Sequence, residues 1–184
     1  PAERDRFLEA LGKLNNQGLG RFSEFPDMHN ASVNNEAHGR QGFTPWHRAY
    51  LLDLERELQN FDPCVALPYW RFDEPAPNLF TMDFLGVPSV AGALQFSGSN
   101  PLTFWSTDGQ SGIVRSPHFN TQTSPAFSNL WGGQPIVGEV GTLNRGAGIY
   151  QGFWSGLEGN PHGYAHTSFD GYIDTPETAP RDPL

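Results

Sequence analysis

Residues 38–61 read HGRQGFTPWHRAYLLDLERELQNF, and this stretch decides the fold expected for the chain. From residue 44 to residue 61 the pattern predicts an amphipathic helix. Its apolar face would consist of Trp46, Tyr50, Leu51, Leu54 and Leu58. Thr44 suits the N-cap of this helix, and Pro45 suits its first helical position.

Two histidines, His38 and His47, stand at the start of this helix, with two glycines and a proline between them. These residues prevent one continuous helix from joining the two histidines. The imidazoles would therefore approach from different directions, which allows them to converge on one metal ion. His29 is the candidate for a third ligand.

A second histidine group consists of His162 and His166, whose spacing of four residues places both rings on one face of a helix. Such a pair commonly presents two neutral imidazoles to one metal ion. Glu158 lies four residues before His162 and would share that face if the helix continues through Asn160. Three plus two histidines indicate two metal ions, which at about 3.5–4 Å apart could act jointly on one bridging ligand.

Simpler interpretations exist for each histidine, since a single histidine is more often a hydrogen-bonded core or loop residue than a metal ligand. His118 has no helical partner and keeps that simpler interpretation. A zinc-protease motif would need a glutamate directly after His162, where Gly163 stands instead. The aromatic residues Trp46, Tyr69, Trp70 and Phe72 are expected in the core.

The composition narrows the class of protein further. With 184 residues and 14 Phe, 5 Trp and 5 Tyr, the chain can build one domain with a substantial core. The net charge of −9 argues against nucleic-acid binding, which needs a basic face. The single cysteine, Cys64, excludes an internal disulfide and any cysteine-based metal cluster.

No apolar stretch is long enough for a membrane span, and no signal-peptide pattern is present. The chain starts at Pro1, which we interpret as a piece of a longer protein. We therefore expect a soluble chain, and the sequence is compatible with export of the parent protein. Neither its compartment nor its oligomeric state is indicated.

The remaining segments give weaker patterns. Residues 2–16 predict a helix, residues 17–42 a loop, and residues 74–146 a long loop region. Residues 148–159 predict a short helix. A second helical segment would follow it, with Asn160 as its N-cap.

The two histidine groups and their surroundings resemble the tyrosinase family, the type-3 dicopper proteins. HGRQGFTPWHRAYLLDLERELQ followed by VALPYWRFDEPAPNLF is similar to the first copper-binding signature, and EGNPHGYAH is similar to the start of the second. The resemblance spans roughly residues 25–184. It implies a mainly α-helical fold, an antiparallel four-helix bundle wrapped in long loops, in which three histidines hold each copper and dioxygen binds between the coppers.

Transferred residue by residue, the resemblance implies that His29, His38 and His47 bind the first copper. His162 and His166 would bind the second. Glu158 matches a glutamate that orders a water and helps to deprotonate a bound phenol. Gly163 matches the substrate-side position that is often Asn in members that hydroxylate monophenols.

This sequence departs from the family pattern at three places. Glu36 stands where some members have a cysteine cross-linked to the second histidine, so that thioether cannot form here. Gly163 lacks the side chain that would raise the basicity of the ordered water, which favours catechol oxidation over monophenol hydroxylation. The family's third histidine for the second copper follows an Asp-Pro-x-Phe motif, and this chain stops at Asp182-Pro183-Leu184.

We therefore expect residues 1–184 to form one tyrosinase-type copper-binding domain, incomplete at its C-terminus, with most of the fourth bundle helix missing. Its parent would be an enzyme that uses two copper ions and O2 to oxidise phenols and o-diphenols to o-quinones. The expected partners are a small phenol and O2, without nucleic acid or membrane. The alternatives are an oxygen carrier like the haemocyanins, or an inactive fragment with an incomplete second copper site.

Overall fold

The first helix, α1, spans Ala2–Asn15 and confirms the helix expected over residues 2–16. Acidic residues occupy its first turn and Lys13 its last turn, which matches the helix dipole. Its apolar side chains recur on one side of the helix and pack into the core, namely Phe7, Leu8, Leu11 and Leu14. The computed structural model describes residues 2–32, 36–40, 42–126, 130–131, 134–135, 144–146, 149–151 and 157–184.

Helix α2 spans Glu24–Ser32, so the prediction of a loop over residues 17–42 is wrong in this part. Pro26 lies in the first turn, where a missing amide hydrogen costs no intrahelical hydrogen bond. Acidic residues in the same turn favour the helix N-terminus. The helix is short and weakly periodic because it buries just Phe25, Pro26 and His29. Part of the predicted loop, residues 33–35 and 41, lies outside the described residues.

Helix α3 spans Phe43–Gln59 and confirms the long helix predicted from residue 44. Thr44 is not its N-cap, because the helix begins one residue earlier and is preceded by Gly42, which makes no side-chain capping bond. Pro45 accordingly occupies the third helical position.

The face of α3 that turns toward the core differs from the expected one. Leu51 is 48% exposed, whereas Leu58 is fully buried. Tyr50 and Leu54 pack against the core along the same side as Leu58. With Phe43 and His47 these residues follow a spacing of three or four, so His47 lies on the core-facing row of the helix.

The described residues from the end of α3 to residue 151 form turns, a 3-10 helix at Pro101–Phe104 and several two-stranded antiparallel hairpins. The hairpins are β1 (Val87–Pro88) with β2 (Leu94–Gln95), β3 (Ser106–Thr107) with β4 (Gln110–Ser111), β6 (Leu130–Trp131) with β7 (Gln134–Pro135), and β8 (Asn144–Gly146) with β9 (Ile149–Gln151). The β3–β4 turn is made by Asp108 and Gly109, both with positive φ, which is the chemistry that a two-residue hairpin requires.

Strand β9 corrects the prediction of a helix over residues 148–159. Arg145 pairs with Tyr150 and Gly146 with Ile149, so Ile149–Gln151 is part of a hairpin, whereas residues 157–159 are helical as predicted. Isoleucine and tyrosine favour strands, and the pairing partner decides an ambiguous sequence. Residues 152–156 lie outside the described residues.

The second histidine group lies on a helical segment that starts with a π-helical turn at Glu158–Gly163 and continues as α4, Tyr164–Thr167. Asn160 lies inside this turn, so it is not an N-cap. The helical backbone is continuous from Glu158 to His166. This meets the condition under which Glu158 and His162 were expected to share a face. Strand β10, Phe169–Gly171, then pairs antiparallel with β5, Arg115–Pro117.

Two apolar clusters hold these elements together. The first is built by α1, α2 and α3 with the loop residues Phe84, Leu85, Leu102, Trp105 and Ile113. The second consists of Phe80, Phe169 and Ile173, with Trp70 and Phe119 packed against them. Trp70 thus confirms the expectation of a core aromatic, whereas Tyr69 is 87% exposed and contradicts it. In the described part of the chain, no helix combines the length and apolar character needed to cross a bilayer.

Candidate metal centre

Three of the predicted ligands come together from three different segments. His29 lies on α2, His38 follows the buried Ala37 in the connecting segment, and His47 lies on the first turns of α3. One ring nitrogen from each lies within 4.8 Å of the others. The centroid of the His38 ring lies 5.0 Å from the centroids of both His29 and His47. The three imidazoles therefore surround one point, as the sequence predicted.

Each ring in this group is held by its surroundings in a different way. The Nδ1 atom of His47 hydrogen-bonds the carbonyl oxygen of Phe43 at 2.8 Å, which directs Nε2 toward the other histidines. His29 is 5% exposed and packs edge-on against Trp46. The Nδ1 atom of His38 is buried and has no hydrogen-bond partner among the described residues. A buried unsatisfied nitrogen of this kind calls for a ligand.

The surroundings favour the neutral form of His29 and His47. Burial, together with the neighbouring rings of His38 and His47, lowers the pKa of His29 to about 4. Burial also lowers the pKa of His47, and the His38 ring adds to this effect. Because a metal binds the unprotonated imidazole nitrogen, lowered pKa values prepare both side chains for ligation.

The second pair of histidines faces one another through their Nε2 atoms, which are 3.1 Å apart. The Nδ1 atom of His162 bonds the carbonyl oxygen of Glu158 at 3.0 Å, and the Nδ1 atom of His166 bonds the carbonyl oxygen of Ile173. A carbonyl only accepts hydrogen bonds, so both Nδ1 atoms must carry the proton. In the neutral rings both Nε2 atoms then present lone pairs, which cannot hydrogen-bond one another.

A cation between these two nitrogens resolves this conflict. Burial lowers the pKa of His162 to about 3 and also lowers that of His166, so a bridging proton is disfavoured near neutral pH. Two imidazole nitrogens bound to one ion at about 2.0 Å lie roughly 2.8–3.3 Å apart for bond angles between 90° and 109°. The observed 3.1 Å separation falls within this range. The pair therefore has the chemistry and the spacing of two ligands to one metal ion.

The two histidine groups form one continuous site. The His162 ring centroid lies 5.9 Å from the centroids of both His38 and His47. Phe43 lies where the groups meet, 4.7 Å from His47 and 4.8 Å from His162 between ring centroids. Sequence reasoning did not identify Phe43, although its position four residues before His47 marks the carbonyl that orients that ring.

Glu158 and Gly163, the two other predicted site residues, adjoin the second histidine pair. Oε1 of Glu158 accepts a hydrogen bond of 2.7 Å from the backbone amide of Gly39, next to His38. At Gly163 an added Cβ would meet the Glu158 carbonyl oxygen at 3.3 Å, a tight but small contact. Both residues thus lie beside the candidate metal ligands His162 and His166.

His118 lies outside this cluster, as expected. Its Nε2 atom bonds a carboxylate oxygen of Asp170 at 3.0 Å, and the side chains are 52% and 73% exposed. The Ile173 carbonyl that orients His166 was not predicted, because no local motif marks a backbone acceptor seven residues away.

Comparison with known proteins identifies the family of this chain. The family model described as the common central domain of tyrosinase matches residues 19–184. A tyrosinase from Streptomyces glaucescens is 42% identical over 94 residues, covering 46% of this chain and 34% of the relative. Tyrosinase HcTyr1 from a Hahella strain is 26% identical over 161 residues, covering 80% of this chain and 34% of the relative.

Hemocyanin 1 from Megathura crenulata is 39% identical over 70 residues, covering 34% of this chain and 2% of the relative. The chain spans about a third of the length of the tyrosinases it matches. Since the family model covers most of the chain, including all five clustered histidines, the chain belongs to the tyrosinase family.

Proposed function

We propose that this chain holds the dicopper site of a polyphenol oxidase that converts o-diphenols to o-quinones with O2. The observation that carries this proposal is the continuous site of five imidazoles, in which His162 and His166 face each other through unprotonated Nε2 atoms. His29, His38 and His47 would bind the first copper ion. His162 and His166 would bind the second.

Copper fits this ligand set better than zinc. Imidazole nitrogens bind Cu, Zn, Fe and Ni, and zinc has no redox chemistry. Copper is also the metal of the tyrosinase family. When bound, the copper pair would supply the electron transfer between the diphenol and O2. Overall, two o-diphenols and one O2 give two o-quinones and two waters, which balances four electrons and four protons.

Glu158 is the proposed proton acceptor for the phenol. Its carboxylate lies beside the second histidine pair, and Oε1 is occupied by the Gly39 amide. Oε2 makes no hydrogen bond to the described residues, so this oxygen can order a water or accept the phenolic proton. The lowered pKa values of His162 and His166 keep those two side chains as metal ligands rather than proton carriers.

Gly163 is the proposed substrate-side position. Without a side chain it leaves space beside His162 and provides no hydrogen bond to a water held by Glu158. We therefore propose that diphenol oxidation exceeds monophenol hydroxylation. Gly163→Asn would raise the ratio of tyrosine hydroxylation to catechol oxidation, and an unchanged ratio would contradict this role.

The scaffold proposed for this site is the family's antiparallel four-helix bundle with long loops, to which α2, α3 and the Glu158–Thr167 segment would contribute three helices. The five clustered histidines provide three ligands to the first ion and two to the second. His118, bonded to Asp170, does not join them. We therefore propose that this chain binds the first copper more tightly than the second.

Copper titration with metal analysis, followed by addition of catechol, tests the proposal. We expect one tightly bound copper per chain, a weaker second copper, and quinone absorbance only when both are bound. Two copper ions bound with equal, high affinity would contradict the asymmetry between the sites. A chain that binds no copper would contradict the proposed function as a whole.

An oxygen carrier is the second candidate, since Hemocyanin 1 is among the relatives. Reversible O2 uptake without quinone formation would support it. Glu36 at the position of the cross-linked cysteine, and an exposed Cys64, argue against it.

A further inference from the structure

We infer that Glu158 is also a positioning residue, which joins the two halves of the site so that metal in one half strengthens metal binding in the other. This inference rests on the proposed function. It differs from the proton-transfer role because it concerns the geometry of the ligands before any substrate binds.

Glu158 contacts both halves of the site at the same time. Its backbone carbonyl accepts the hydrogen bond from Nδ1 of His162 at 3.0 Å. Its side-chain Oε1 accepts the hydrogen bond from the backbone amide of Gly39 at 2.7 Å, across 119 residues of sequence. One residue therefore holds a ligand of the second half and the backbone next to a ligand of the first half.

His38 depends on this backbone contact more than His47, His162 and His166 do. His47, His162 and His166 each have a hydrogen bond from Nδ1 to a carbonyl oxygen. The Nδ1 atom of His38 has no such partner among the described residues. The Nδ1 atom of His29 also lacks a hydrogen-bond partner among the described residues, but His29 is held within helix α2. Gly39 follows it directly, with φ of +66° and no atom within 4 Å of an added Cβ, so packing around Gly39 does not fix the turn.

The coupling follows from this arrangement. A metal held by His38 fixes the position of the Gly39 amide, which in turn fixes the Glu158 carboxylate. The Glu158 carbonyl then holds the His162 ring in its ligating tautomer and orientation. By linkage, metal at His162 favours the bound position of His38 to the same extent.

Three substitutions of Glu158 distinguish its role as a hydrogen-bond acceptor from the effects of its charge and its basicity. Glu158→Gln retains an oxygen acceptor for the Gly39 amide, whereas Glu158→Ala and the shorter Glu158→Asp do not reach it. Zn²⁺ titration by calorimetry reports metal binding without requiring turnover. Glu36→Ala removes an exposed carboxylate from the same segment as His38 and serves as the charge control.

We expect Glu158→Ala and Glu158→Asp to weaken zinc binding by about tenfold or more, the usual effect of losing an outer-shell partner. Glu158→Gln and Glu36→Ala should bind zinc as the parent chain does. Glu158→Gln should nevertheless lose catechol oxidation, because an amide cannot accept the phenolic proton. Circular dichroism of each zinc-free variant checks that the chain is folded.

A double-mutant cycle with His47→Ala tests the coupling itself. In the parent chain, His47→Ala should disable the first half and thereby weaken zinc binding at the second half. In Glu158→Ala, the added His47→Ala change should not weaken zinc binding at the second half any further. Unchanged zinc affinity in both Glu158→Ala and Glu158→Asp would overturn the inference, as would additive effects in the cycle. Absence of zinc and copper binding by the parent chain would instead overturn the proposed function.

Discussion

Arg115 and Asp182 form a bidentate ion pair whose side chains are 1% and 0% exposed. The guanidinium donates through Nε at 2.8 Å and through Nη2 at 2.7 Å, and its Nη1 donates to the carbonyl of Leu85 at 3.2 Å. Asp182 also accepts the Leu184 amide at 3.0 Å. The pair therefore fastens residues 182–184 to β5 and to the first apolar cluster.

Removing one partner of this pair leaves a buried charge without compensation. Arg115→Ala should reduce the free energy of unfolding by about 3–5 kcal/mol, measured by urea denaturation. Replacing both residues, as in Arg115→Met with Asp182→Leu, should cost much less, because no buried charge remains. Arg71→Ala, which breaks an ion pair between side chains 55% and 24% exposed, is the surface control and should change stability little. Equal effects of the Arg115 and Arg71 changes would contradict this account.

Metal binding should depend on the clustered histidines and not on the isolated one. His38→Ala removes a ligand of the first ion and should lower copper affinity by at least tenfold, whereas His118→Ala should leave it unchanged. His118 is the matched control, since its ring bonds Asp170 instead of facing the cluster. Equilibrium dialysis against Cu²⁺ with metal analysis measures both. A loss of copper in His118→Ala would show that the ligand set is different.

The stability of the metal-free chain should fall as the pH is lowered from 7.5 to 5.5. Burial lowers the pKa of His29 to about 4 and that of His162 to about 3, so the folded chain leaves both rings neutral in this range. In the unfolded chain the same histidines bind protons below about pH 6.5. The unfolded state then binds more protons, so stability is fully present above pH 6.5 and is lost toward pH 4 and 3.

Urea midpoints in the presence of a chelator would measure this slope. The range from pH 7.5 to 5.5 lies above the titration of most carboxylates, so the histidines dominate it. His29→Gln combined with His162→Gln should flatten the dependence. A midpoint that stays constant from pH 7.5 to 5.5 in the parent chain would contradict the lowered pKa values.

Gly171 supports the second histidine pair through the backbone. Its φ is +104°, and a Cβ at this position would lie 2.1 Å from the carbonyl oxygen of Val114. Gly171→Ala should therefore destabilise the chain by about 2 kcal/mol or more. It should also weaken zinc binding, since it displaces the following 3-10 turn, Tyr172–Asp174, which contains Ile173, the residue whose carbonyl orients His166.

Gly109→Ala is the matched control for Gly171→Ala. Gly109 also has a positive φ, of +73°, but no atom lies within 4 Å of an added Cβ. It should cost about 1 kcal/mol of backbone strain and leave zinc affinity unchanged. Thermal unfolding and zinc titration of both variants would show whether the close contact at Gly171, beyond its backbone conformation, matters for the site.

Local patterns accounted for the strongest helices and for the histidine groups. The apolar spacing in residues 2–16 and 44–61 predicted α1 and α3, because helical periodicity over three or more turns outweighs other preferences. The spacing of His162 and His166 similarly predicted that their rings share a face. The hairpin at Asp108-Gly109 was not predicted, although this dipeptide favours a two-residue turn.

Weak or short patterns were decided by packing partners. Helix α2 carries few apolar residues and was predicted as a loop, because its helical form depends on burying Phe25 and His29 against α3 and the first cluster. Ile149–Gln151 was predicted as helix and is a strand, because pairing with Asn144–Gly146 determines its conformation. Leu51 was expected in the core and is exposed, since the direction of α3 relative to α1 selects which row is buried.

From side-chain chemistry alone, the sequence identified the candidate nitrogen and sulfur ligands, six histidines and one cysteine, together with the glutamate four residues before His162. Which of them meet, and in what chemical form, depends on the tertiary packing. The contact of Glu158 with Gly39, the pairing of His118 with Asp170, and the carbonyl of Ile173 at His166 all join segments through backbone groups or distant partners. Backbone donors and acceptors are the same in every residue, so no pattern of side chains can specify which of them will orient a ligand.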